Sequence, residues 1–130
     1  MNRVAWLVVA LVILSGGFAE SADSAEVRQL TGGFVWNKNR TGDLAAEFSP
    51  TGEGKWDVTF RFVFREQNHV YSGTAEGSLS AGELSGRVLN EGKSRTFVFR
   101  GKFEEGTFRG THAEIEDDLE QETGTLTLAE

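Results

Sequence analysis

The chain has 130 residues, with 20 acidic against 13 basic side chains, a formal net charge of −7, one proline and no cysteine. That charge repels nucleic acid and anionic membrane surfaces, and the lack of cysteine excludes disulfides, thiol chemistry and thiolate metal sites. The length fits one domain that buries enough surface to fold without covalent staples.

The first element is an apolar run from Val4 to Leu14, preceded by Arg3 and followed by small residues at Gly17 and Ala19. It is too short for a spanning helix, which needs about 20 residues, but suits the apolar region of a secretory signal peptide. We expect cleavage after Ala19 and a secreted or periplasmic location. The mature chain then carries 12 basic and 20 acidic residues, a net charge of −8. Residues 20–29, which open Glu-Ser-Ala-Asp-Ser-Ala-Glu, read as a disordered lead. Residues 30–130 read as one β-barrel domain.

Beyond the lead, no long helical periodicity is present, and short alternating segments recur between glycines. They predict eight strands, at Gly33–Lys38, Asp43–Ser49, Lys55–Glu66, Val70–Leu79, Glu83–Leu89, Arg95–Glu104, Thr107–Ala113 and Thr123–Ala129. Three connections, Ser80-Ala81-Gly82, Asn90-Glu91-Gly92 and Glu104-Glu105-Gly106, suit three-residue hairpin loops with glycine in the left-handed position. Glu114–Glu122 breaks the alternation. Ile115 and Leu119 are four apart there, which suits either a short amphipathic helical turn or an acidic loop.

The tetrapeptide Phe-Val-Phe-Arg occurs at 62–65 and again at 97–100. In the first copy's strand Trp56, Val58, Phe60, Phe62 and Phe64 share one face, and in the second Phe97, Phe99, Gly101 and Phe103 do. One dry face and one wet face per strand is the pattern of an antiparallel sheet around a single core. The fold class is therefore all-β, an antiparallel up-and-down meander of about eight strands. Uniform hairpin order favours a closed or half-closed barrel over a β-sandwich, which needs a long crossing connection. A membrane barrel would turn the aromatic face to lipid. The segment Glu83–Leu89 is shorter than the roughly 9–11 residues a spanning strand needs, so no membrane span is expected in the mature chain.

Four glycines, Gly73, Gly86, Gly101 and Gly110, each follow an inward apolar residue (Tyr71, Leu84, Phe99 and Phe108) by two positions. Two readings compete. In one, the glycines leave room for a small apolar ligand lined by Trp36, Phe60, Phe62, Tyr71, Phe99 and Phe108. In the other, they let the sheet coil tightly beneath large rings. A ligand barrel should enclose a void of roughly 300 Å³ or more that opens to solvent, and a solid one should enclose none.

His112, Glu114 and Glu116 alternate and form the one weak candidate set for a metal, though their spacing matches no zinc or calcium motif. No cofactor is expected. No Gly-x-Ser-x-Gly elbow or apolar-set carboxylate pair marks a catalytic residue, so none is assigned and the chain is read as non-enzymatic. The outward Arg61, Arg65, Arg100 and Arg109 are expected to pair with Glu across strands.

Gly33-Phe34-Val35-Trp36-Asn37 and Gly82-Glu83-Leu84-Ser85-Gly86 resemble, respectively, the first-strand Gly–Trp signature and a strand motif of the calycin group of ligand-binding barrels, lipocalins and avidins among them. Here two residues separate the Gly and Trp, where those proteins have one, so no binding residue is carried over. The resemblance implies a ligand barrel. The expected function is an exported binding domain carrying a small apolar or amphipathic ligand. The alternative is a solid-cored structural or protein-interaction domain of the cell envelope.

Overall fold

The structure, a computed structural model, describes residues 26–130 apart from 91 and 93. The expected signal peptide and most of the lead lie outside the described residues. Eight strands form: β1 Arg28–Trp36, β2 Arg40–Gly52, β3 Lys55–Phe64, β4 Gln67–Gly77, β5 Gly82–Asn90, β6 Arg95–Glu104, β7 Thr107–Glu116 and β8 Leu119–Ala129. Each pairs antiparallel with the next, and β8 returns to β1, closing an up-and-down barrel. Closure leaves no edge strand, and the barrel replaces the sandwich alternative. β1 begins at Arg28, so Arg28 and Gln29 belong to the barrel and not to the lead.

Alternation sorts the side chains as the pattern demands. Val58, Phe60, Phe99 and Leu128 are buried, while their strand neighbours Asp57, Arg61, Arg100 and Thr127 are exposed. The rings therefore face inward, opposite to a lipid-facing barrel. The repeated tetrapeptide finds its reason here. Phe60 meets Phe99 with centroids 5.1 Å apart, and Tyr71 bridges Phe62 at 5.7 Å and Phe97 at 5.4 Å. The two copies thus lie on strands whose rings share one interior, joined through Tyr71 and the Phe60–Phe99 contact.

The turns differ from expectation. Arg65-Glu66, Glu105-Gly106 and Asp117-Asp118 are two-residue loops with both residues at positive φ, the geometry that matches strand twist. Glu104-Glu105-Gly106 is thus not a three-residue loop. Glu114–Glu122 is neither helix nor loop but a hairpin in which Ile115 pairs with Glu120 and Glu116 with Leu119. Ionic cross-strand contacts hold three of the turns' flanks or neighbouring positions: Arg61 with Glu47, Arg95 with Glu114 and Arg100 with Glu120. Arg65 instead lies over the Phe64 ring, 5.6 Å from its centroid.

The two ends of the barrel are unlike. At the end where β1 begins and β8 ends, Leu30, Phe48, Leu84, Phe108 and Leu128 are at most 1 % exposed. Leu79, from the β4–β5 connection, is buried there as well. Trp56 Nε1 donates to the Gly77 carbonyl at 3.2 Å, and Arg28 ties Glu130 and the Leu79 carbonyl. This end is filled. The other end, bounded by the turns after β1, β3, β5 and β7, holds the remaining rings.

Candidate functional site

An apolar cavity of about 120 Å³ opens at that second end. β3 supplies Phe60, Phe62 and Phe64 by period-two spacing, β4 supplies His69 and Tyr71, and β6 supplies Arg95, Phe97 and Phe99. Trp36 and Phe34 complete the wall from β1, and His112 from β7. The interior is therefore neither the large void of a wide ligand barrel nor solid. It is a filled floor beneath a narrow well.

Of the residues singled out from sequence, Trp36, Phe60, Phe62, Tyr71 and Phe99 line the well. Phe108 does not; it is fully buried in the filled end, against Phe103 and Phe99. Gly73, Gly86, Gly101 and Gly110 do not line it either. Their role is close approach of neighbouring strands. A Cβ on Gly101 would stand 2.2 Å from the Arg109 carbonyl oxygen, and one on Gly73 would stand 1.9 Å from that of Arg87. The ring of the paired Phe99 lies over Gly86, 2.7 Å from where a Cβ would be. Glycine here lets the sheet coil and rings cover the bare backbone, the second of the two readings offered above.

Arg95 crosses the mouth. Its Nε and Nη2 donate to Glu114 Oε2 and Oε1 at 3.0 and 2.9 Å, a two-pronged pair. Its Cζ sits 5.6 Å from the Trp36 ring centroid and 5.2 Å from that of Phe97. The cation thus rests on two aromatic faces of the wall. The hydrogen bond from Arg95 holds the Glu114 carboxyl below its usual range. Burial pushes the Tyr71 phenol up, against the opposing pull of Arg95 and of Asn90 beside its hydroxyl.

His112 is committed to the barrel's seam. Its ring stacks on Trp36 at 5.9 Å, and Nε2–H donates to the Val35 carbonyl at 3.0 Å, joining β7 to β1. Nδ1 lies 2.7 Å from Thr123 Oγ1, whose other contact, to the His112 carbonyl, is 3.1 Å. Burial lowers the imidazole's pKa, favouring its neutral form, while the Thr123 hydroxyl donates to the His112 carbonyl. The weak metal set fails on this geometry. Both His112 nitrogens are engaged, Glu114 is held by Arg95, and Glu116 is exposed at the end of its strand. Among the described residues no group of three His, Asp or Glu is placed to hold a metal ion.

Sequence reasoning missed Phe34, Phe64, His69, Arg95 and Phe97 as wall residues and assigned His112 elsewhere. The alternation of β3 and β6 already put Phe64 and Phe97 on the inner face, so those two were within reach. Arg95 was not, because Trp36 meets it only after closure and Glu114 only through the register of β6 on β7.

Fold and site together define a class: a small closed antiparallel β-barrel with one filled end and one open aromatic well. No protein-family model, curated protein or solved structure matches the chain.

Proposed function

We propose that this protein is an exported, non-enzymatic binding module that holds a small apolar or amphipathic molecule in the well. The observation that carries the reading is the asymmetry of the core. The same sheet fills one end with buried side chains and leaves the other with an open well walled by rings. A barrel built only for stability gains by filling both ends, since unfilled apolar space forfeits packing energy. At about 120 Å³ the well lies below the roughly 300 Å³ at which drug-sized sites begin, which restricts the ligand to a small one. The calycin resemblance of the two glycine motifs supports the same reading. Export rests on the apolar run Val4–Leu14 and the small residues after it.

One experiment addresses both parts: native and denaturing mass spectrometry of the protein purified gently from its own host. Extra mass that leaves on denaturation is expected, over a chain that begins at Glu20. A bare chain would remove the ligand reading and favour the second one, an interaction domain of the envelope. That alternative has its own observation. Val63, Val70 and Leu89, 58 %, 46 % and 47 % exposed, lie on the outer face of adjacent strands β3 to β5.

A further inference from the structure

We propose that the well takes a small monocarboxylate, with one ring or a short alkyl chain inside and the carboxylate on the outer edge of Arg95. The inference rests on the ligand-binding reading above and names the ligand's chemistry.

Size comes first. An apolar cavity of about 150 Å³ accepts one benzene. A well of about 120 Å³ with an open mouth therefore accepts one six-membered ring or a short chain whose polar end stays at the mouth, and not a long lipid. The wall explains why the inner part must be apolar: Phe34, Phe60, Phe62, Phe97, Phe99 and Leu126 offer no hydrogen bond.

The polar end is read from Arg95. A guanidinium presents two forks to carboxylates, Nε with Nη2 on its side and Nη1 with Nη2 at its end. Glu114 takes the side fork with both oxygens. No described hydrogen bond uses Nη1. Glu114 thus holds the group in place on the Trp36 and Phe97 faces and leaves the end fork for a second carboxylate. The other mouth groups do not favour a cationic ligand. Two of the ring faces, those of Trp36 and Phe97, already carry Arg95, and the carboxylate of Glu114 is paired with it. His112 is turned away into its bonds with Val35 and Thr123.

The test is calorimetric titration of the purified chain with three probes of one ring size: toluene, benzoate and benzylamine. Benzoate is expected to bind at least tenfold more tightly than benzylamine. In Arg95→Gln the ratio of benzoate to benzylamine affinity should fall below threefold, with toluene affinity measured in the same variant as the reference for the apolar part. Arg95→Lys, which keeps the charge and loses the fork, should fall between. If toluene binds but benzoate is no better than benzylamine, the carboxylate inference is overturned and the apolar well stands. If none of the three binds, the ligand reading itself fails. Retention of the benzoate preference in Arg95→Gln would overturn the role of Arg95. Should a variant not fold, the wild-type series alone decides between the two charged probes.

Discussion

At the scale of the residue, the most informative side chain is His112, because its environment makes a signed prediction. Its folded-state pKa lies below the ordinary 6.5, with burial the main cause. The unfolded chain therefore binds the proton first as pH falls. Stability is full above about pH 6.5 and declines as pH drops from there toward the lowered folded value, where the decline ends. Glu114 adds a separate loss below its ordinary 4.5, as its carboxylate is protonated and the pair with Arg95 is lost. Urea midpoints measured from pH 8 to pH 3 should show two descents, and His112→Gln should abolish the upper one alone. The glycines make the second residue-scale prediction. Gly101→Ala places a methyl against backbone that cannot yield, and should cost at least about 1–3 kcal/mol. Gly52→Ala, whose added Cβ meets nothing nearer than 3.9 Å, should change stability by less than about 0.5 kcal/mol in the same unfolding assay.

At the scale of the element, the strands were legible and their turns were not. All eight segments overlap strands that form, because a period of two between glycines leaves a chain few other ways to bury one face. However, β1 begins at Arg28 and ends at Trp36 where the pattern predicts Gly33–Lys38, and β8 begins at Leu119, ahead of Thr123. The hairpin at Arg65-Glu66 carries no glycine, asparagine or aspartate, the usual residues of left-handed turns, so nothing in the local sequence announced it, whereas Asp117-Asp118 suits such a turn. Cross-strand pairing sets the Arg65-Glu66 conformation against local preference. The cost is recoverable. Arg65→Asn with Glu66→Gly should raise stability by about 1 kcal/mol, read from the urea midpoint, without altering the well. The expectation of a helical turn or acidic loop at Glu114–Glu122 failed for the same reason. Four-residue spacing of Ile115 and Leu119 is a weak helical signal, and pairing of β7 with β8 overrides it.

At the scale of the whole molecule, the division of the barrel into a filled and a hollow end predicts that stability and binding respond to different residues. Phe48→Ala and Phe108→Ala remove fully buried rings and should each cost about 3–5 kcal/mol in unfolding measurements. Neither lines the well, but Phe48 packs on Phe60 and Phe108 on Phe99, so their stability loss should exceed the change in toluene affinity at temperatures where they remain folded. Phe62, partly exposed at the wall, should behave in reverse: Phe62→Ala should cost less stability and change toluene affinity more.

By itself the sequence determined the fold class, the eight strands and which face of each is dry, because those properties follow from alternation along one segment at a time. Which rings share a wall and that Arg95 lies over Trp36 were decided by closure of β8 on β1, while the service of the glycines to strand approach and the grip of Glu114 on Arg95 were set by the register of neighbouring strands. Such contacts join residues tens of positions apart, and their geometry depends on strand register and coiling around the whole barrel, which no local pattern encodes.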